Sequence, residues 1–182
     1  MTSSNIQAPN VVVRDASEKD MRTVRDIYAH YVLHAFATFE ETPPSLDEMI
    51  ARRRESVDIG LPYLVAETNG ETLGFAYAGL YHARPAYRFT VEDSVYVAPG
   101  FARRRVGAAL LGAVIARCEA GPWRQMIAIV GDSANAGSIG LHRRFGFELI
   151  GVLKSVGFKF GRWIDAPILQ RRLEAGDGEQ PA

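Results

Sequence analysis

The chain is poor in cysteine, in net charge and in long apolar runs, and each shortage removes a class of protein. Cys118 is the single cysteine among 182 residues, so neither an internal disulfide nor a cysteine-built zinc cage can form. Lys and Arg number 21 and Asp and Glu 21, a formal net charge of zero. A general nucleic-acid binder rests on excess basic charge and is excluded as a class. No apolar stretch approaches the roughly 20 residues that span a bilayer. The opening residues, MTSSNIQAPN, are polar and have neither the basic start nor the apolar centre of a signal peptide. A cytoplasmic protein without nucleic-acid or membrane partners is expected. Several catalytic signatures are missing as well. No G-x-x-x-x-G-K-[ST] occurs, and Ser133 and Ser138, in GDSAN and AGSIG, lack the G-x-S-x-G frame of a serine hydrolase. The four histidines form no H-x-x-x-H pair with an acidic partner, so no metal is expected.

What the chain does have is 47% hydrophobic residues, enough for one core, and no repeat or Gly/Ser/Pro-rich linker divides it. The expected organisation is a loose leader over 1–10, one domain over 11–173 and a frayed tail over 174–182. VVVRDA predicts a strand. A helix follows over 17–34, opened by a Ser17/Asp20 capping box, and after the loop AFATFEETPP another over 45–56, opened by Ser45 and Glu48. Asn69-Gly70 predicts a hairpin within YLVAETNGETLGFAYAGL. In the next strand, FTVEDSVYV, Phe89, Val91, Val95 and Val97 share one face and Thr90, Glu92, Ser94 and Tyr96 the other. Asp93 falls on the valine side. A helix striped by Val106, Leu110, Ala113, Val114 and Cys118 comes next. The strand RQMIAIVG, a short helix over 133–145 capped by Gly146, and strands over 148–155 and 164–173 complete an α/β domain.

The stretch GFARRRVGAALLGAVIARCEAG concentrates positive charge at the start of a helix. Strand, glycine-bearing loop and helix is the geometry that presents free backbone N–H groups to an anion. Arg103, Arg104 and Arg105 add charge there, suited to a pyrophosphate rather than to a long polyanion. The residues alone leave open a second reading, three solvated arginines on a surface turn.

VYVAPGFARRRVGAALL followed by NAGSIGLHRRFGF resembles the GNAT family of acetyl-CoA-dependent N-acetyltransferases. TFEETP, RPAYRFTVEDSVYV, GDSAN and VGFKFGRWID are similar to its phosphinothricin and methionine sulfoximine branch. The resemblance runs from about Val11 to Leu173. It implies the GNAT fold, a single domain whose mixed, largely antiparallel twisted sheet is flanked by about four helices. It also implies acetyl-CoA as co-substrate, a small glutamate-like amino acid as acceptor, and a homodimer. Acetyl-CoA would lie along Val95, Tyr96 and Val97, with its pyrophosphate on Arg103, Arg104, Arg105, Val106, Gly107 and Ala108, and with Asn135 and Ser138 near its arm. One departure stands out: Ala102 occupies the family's Arg/Gln position and Arg105 the place of its first glycine.

Acetyl transfer to an amine requires that the amine lose a proton, that the developing oxyanion meet donors, and that the leaving thiolate be stabilised. Glu92 is the expected base, on a strand whose other face is apolar, and it matches the base that the resemblance implies; the residue pattern by itself favours an ordinary solvated carboxylate. His142 matches the position where many family members place a general acid, and it also fits a half-buried structural histidine. Asp93 reads as a hydrogen-bonded structural acid. By resemblance, Arg84 and Tyr87, with His82 beside them, would hold the acid end of the acceptor and Phe39 would wall it. Two other functions fit the same residues: a CoA-binding sensor without turnover, and an acetyltransferase for a protein amine.

Overall fold

The computed structural model describes residues 11–174 and 176–178. Its strands are β1 (Val12–Asp15), β2 (Tyr63–Thr68), β3 (Glu71–Leu80), β4 (Thr90–Val97), β5 (Gln125–Ile129), β6 (Glu148–Lys159) and β7 (Arg162–Arg172). They form one sheet in the order β1-β2-β3-β4-β5-β7-β6. Every pairing is antiparallel except that of β4 with β5. The helices are α1 (Met21–His34), α2 (Leu46–Asp58), α3 (Val106–Glu119) and α4 (Ala136–Arg144). This is the mixed, mostly antiparallel sheet with four helices that the sequence implies.

Period-two alternation sorts the core into two layers. On one face Val91, Val95 and Val97 of β4 pack with Leu110, Leu111, Val114 and Cys118 of α3. On the other, Tyr63, Phe75 and Tyr96 pack with Val24, Ile27 and Tyr28 of α1. The second layer is aromatic, with the Tyr63 and Tyr77 rings stacked at 5.0 Å and the Tyr28 and Tyr96 rings edge-on at 5.1 Å. Gly74 lets the layers close. A Cβ there would stand 2.6 Å from the Tyr96 carbonyl oxygen and 3.2 Å from the Leu110 side chain.

The expected turns and caps form where local chemistry dictates them. Asn69 (φ 49°) and Gly70 (φ 80°) make the β2–β3 hairpin. The Ser45 side chain accepts from the Glu48 N–H at 3.1 Å at the start of α2, and Gly146, at φ 80°, follows α4. The first helix departs from expectation. Glu18–Asp20 is a 3-10 turn and α1 starts at Met21. The Asp20 carboxylate that accepts from the Ser17 N–H at 2.7 Å also takes two Arg14 N–H groups at 2.8 Å each, which tie it to β1.

The last two strands are longer than 148–155 and 164–173 because they meet in a hairpin turn at Phe160 (φ 50°) and Gly161 (φ 76°). A phenylalanine at positive φ is no turn signal, which is why the sequence conceals this one. The expected leader, 1–10, lies outside the described residues. Of the expected tail, residues 174 and 176–178 are described, and Asp177 pairs with Arg172 at 3.4 Å.

Candidate active site

β4 and β5 pair only from Thr90–Gln125 to Glu92–Ile127. Beyond that point β4 runs on to Val97 without its neighbour, and a cleft of about 730 Å³ opens in the sheet. It is bounded by β4 from Asp93 to Val97, the arginine loop, the first turn of α3, the end of β5 and α4. Val95, Tyr96, Val97, Arg103, Arg105, Val106, Gly107, Ala108, Asn135, Ser138 and His142 all line it. The Tyr96 ring belongs to the opposite core layer, so its main chain is what it can offer the cleft. Arg104 does not line it; its guanidinium lies 5.1 Å from the Phe101 ring centre.

The arginine loop resolves the departure seen in the sequence. Arg105 precedes α3 at φ 64°, and Arg103 stands at φ 62°. Both arginines take the left-handed conformation for which glycine is the usual residue. The Arg105 side chain is exposed and does not cap the helix. Among the described residues, the N–H groups of Val106, Gly107 and Ala108 have no hydrogen-bond partner, and the first to find one is Ala109, on the Arg105 carbonyl at 3.0 Å. An uncapped helix start with free donors and adjacent arginines fits an anionic phosphate. The left-handed backbone has a testable cost. Arg105→Gly is expected to raise stability by roughly 0.5–1 kcal/mol, read as a higher melting temperature without ligand. A lower melting temperature would contradict this placement.

α4 starts at Asn135, whose side-chain oxygen accepts from the Ser138 N–H at 3.1 Å. Its last turn carries His142, which is buried. Its Nδ1 lies 2.8 Å from the Ser138 carbonyl oxygen and its Nε2 3.0 Å from Asp93 Oδ2. A carbonyl and a carboxylate are both acceptors, so these two contacts favour the charged, doubly protonated ring; the Ser138 hydroxyl stands 3.4 Å from the same Nδ1. Burial alone would lower the pKa of His142, but the Asp93 carboxylate and the Ser138 carbonyl turn the net shift upward. Asp93 is the structural acid expected, with its second carboxylate oxygen buried and unpartnered among the described residues.

Glu92 points to the other face of the sheet. It is the last residue of β4 to pair with β5, and it stands directly across from Gly79 of β3. A Cβ on Gly79 would meet nothing within 4 Å, so space is open beside the carboxyl group. Among the described residues Glu92 has no salt-bridge partner. Its pKa is raised to about 7, first by burial and then by the charge of Asp93. That is where a base must stand to exchange protons near neutrality.

The expected acceptor residues lie outside the cleft. His82, Arg84 and Tyr87 are exposed on the connection from β3 to β4, at the end of β4 nearest Glu92. The His82 and Tyr87 rings are 4.9 Å apart, and Arg84 has no ion-pair partner among the described residues. Phe39 follows α1 and covers Gly157 of β6, where a Cβ would stand 2.3 Å from its ring. The structure adds cleft residues not singled out from the sequence: Tyr31, Gly131, Leu141 and Arg144, the last three within the quoted motifs. Tyr31 donates to the Val97 carbonyl at 2.6 Å, a contact visible only once α1 crosses β4. Among the described residues no group of three His, Cys, Asp or Glu side chains could hold a metal ion.

Comparison with known proteins gives a consistent set of relatives. The profile described as Acetyltransferase (GNAT) domain matches residues 13–168. A protein of Alcaligenes faecalis named phosphinothricin N-acetyltransferase is 57% identical over 169 residues, covering 93% of this chain and 86% of its own. An L-methionine sulfoximine/L-methionine sulfone acetyltransferase of Pseudomonas aeruginosa is 40% identical over 163 residues, covering 89% of this chain and 94% of its own. A crystal structure of a phosphinothricin acetyltransferase from Sinorhizobium meliloti in complex with AcCoA superposes with a TM-score of 0.92 at 45% identity, covering 94% of this chain and 93% of the other.

Proposed function

Since this chain belongs to the GNAT acetyltransferase family, and so is an N-acetyltransferase using acetyl-CoA, we propose that its acceptor is the α-amino group of a small glutamate-like amino acid, phosphinothricin, methionine sulfoximine or a close analogue. The observation that carries this reading is Glu92. It is a half-buried carboxyl group with a near-neutral pKa, on the last residue of β4 that pairs with β5, next to the cleft-lining Asp93 and facing the space that Gly79 leaves open. The relatives' names supply the acceptor class.

The residues divide the work by position. The free N–H groups of Val106, Gly107 and Ala108, with Arg103 and Arg105, hold the pyrophosphate of acetyl-CoA. The β4 edge from Asp93 to Val97, left unpaired by β5, offers main-chain groups to the amides of its arm. A strand advances about 3.3 Å per residue, so this edge leads from the arginine loop back to Glu92. Acetyl-CoA supplies the acyl group as a thioester. Glu92 takes one proton from the acceptor's ammonium group, the freed amine forms the new C–N bond, and as the C–S bond breaks the second proton lost by the nitrogen passes to the departing thiolate, which leaves as the thiol. Holding amine and thioester together makes an enzyme nucleophile unnecessary. His142 contributes as the charged partner of Asp93, fixing α4 against β4, because both its N–H groups are already engaged. Arg84 and Tyr87 take the acceptor's acid end, since a free guanidinium grips such groups in bidentate fashion, with His82 beside them and Phe39 as the apolar wall.

The catalytic unit is residues 11–173. No helix among the described residues is long and apolar enough to cross a membrane, which supports the cytoplasm as its place. A second copy of the chain covers the edge strand β6, where Ile150, Val156, Phe158 and neighbouring Trp163 are each more than half exposed. The direct test of function is thiol release from acetyl-CoA with phosphinothricin, methionine sulfoximine, the common amino acids, a lysine peptide and a blank. Saturable release with the glutamate analogues is expected. Release with the peptide alone would move the acceptor to a protein amine. Tight CoA binding without release would make the protein a sensor.

A further inference from the structure

Lys159, the last residue of β6, is 2% exposed. It has no carboxylate partner among the described residues. Its ammonium donates instead to the carbonyls of Ala35 and Thr38, both at 2.9 Å, on the segment that leaves α1. An ammonium buried with no carboxylate in direct contact is costly, even with Glu40 and Glu41 near enough to act on its charge, and a methionine would fill the same slot without that cost. What only a donor can do here is satisfy two carbonyls of an irregular segment at once.

That segment is gripped from other sides as well. The Phe36 ring lies 3.9 Å from the Arg162 guanidinium carbon and meets the Phe160 ring edge-on at 5.3 Å. The Tyr28 hydroxyl bonds the Thr38 hydroxyl at 3.0 Å and the Glu40 carboxylate at 2.9 Å. Phe39 lies between these anchors, with its ring on Gly157, two residues before Lys159 in β6.

We propose that Lys159 is the positioning residue of the acceptor wall: its two hydrogen bonds fix the 35–38 backbone on the β6–β7 hairpin and so set where Phe39 stands. The proposal rests on the acceptor reading above. The phosphate-binding turn, Arg103–Ala108, is built from other elements, while Ala37 of the clamped segment also lines the cleft, so Lys159 acts mainly on the acceptor and far less on CoA. A residue that merely held the fold together would affect both.

Lys159→Met and Lys159→Arg are compared with the unaltered enzyme in acceptor KM, kcat, CoA affinity and amide hydrogen exchange over residues 36–42. For Lys159→Met the expected loss in kcat/KM for the acceptor is on the order of tenfold to a hundredfold, carried mainly by KM. CoA affinity should change much less than acceptor KM, and exchange should quicken over 36–42 but not in α3. Lys159→Arg keeps the charge and donors and should recover part of the loss. An unchanged acceptor KM in folded Lys159→Met, or an equal loss of CoA affinity, overturns the proposal. If Lys159→Met does not fold, Lys159→Arg decides: a rise in acceptor KM alone supports the role, and an unchanged KM overturns it. If the unaltered protein acetylates no acceptor, the functional reading fails by itself. Hydrogen exchange in Lys159→Met then judges the clamp, and unaltered protection over 36–42 overturns it.

Discussion

Glu92→Gln is expected to lower kcat by about 10²–10⁴-fold, the range of general acid–base catalysis, and to leave CoA affinity unchanged. The amide keeps the shape of the side chain and cannot take a proton. The pyrophosphate cradle lies beyond the far end of β4, at the start of α3. Loss of turnover with intact binding separates an enzyme from a sensor, because a sensor has no turnover to lose.

The same substitution has a second expected effect, opposite in sign. The folded-state pKa of Glu92 is raised from 4.5 to about 7, so the native state binds the extra proton across that window. Stability therefore falls as pH rises from 4.5 through 7, because ionising the half-buried carboxyl group works against its surroundings. Glutamine has no such penalty. Glu92→Gln should melt higher than the unaltered enzyme at pH 8, and the gap should close as pH falls towards 4.5. Equal melting temperatures at pH 8 would show that Glu92 ionises freely and would weaken its assignment as base.

Asp93→Ala is expected to destabilise the protein by about 3–5 kcal/mol, a drop of roughly 10 °C or more in melting temperature for a domain of this size. The pair it breaks is buried on both sides, with side-chain exposures of 6% for His142 and 0% for Asp93. Removing the carboxylate leaves an imidazolium without its counter-charge beneath α4. The sign of its pH dependence follows from His142, whose pKa is raised above 6.5 in the fold. The pair's contribution is fully present below pH 6.5 and is lost as pH rises through the folded value. The defect should thus be largest in mildly acidic solution. Replacing both partners, as in Asp93→Leu/His142→Phe, should be milder than Asp93→Ala alone, because no buried charge remains. A double variant no more stable than the single one would contradict an ion pair at this position.

Much of this arrangement could be read from local sequence. The alternation in FTVEDSVYV assigns Glu92 and Asp93 to opposite faces of the sheet, and the valines decide which face meets α3. Asn69-Gly70, Ser45 and Gly146 mark turns and caps by their own chemistry. What could not be read depends on partners far along the chain. The cleft exists because β5 leaves β4 after Glu92, and a parallel register has no local signal. Lys159 in VGFKFGRW reads as an ordinary surface charge, and it is buried because carbonyls more than 120 positions earlier come to it. Phe160 at positive φ hides the last hairpin. Arg105 looks like a broken glycine pattern, and the backbone adopts the glycine conformation regardless.

The most direct test of the central claim, that Glu92 is the base in acetyl transfer to a small amino acid, is the pH dependence of thiol release from acetyl-CoA. It is measured as kcat/KM for the best glutamate-like acceptor from about pH 5.5 to 9, for the unaltered enzyme and for Glu92→Gln. The expected profile rises with unit slope on the acid side and bends near pH 7, where the Glu92 carboxyl group ionises. The residual activity of Glu92→Gln should lack that bend. An identical bend in both proteins, or full activity in Glu92→Gln, would contradict the assignment and send the search for the base to another residue.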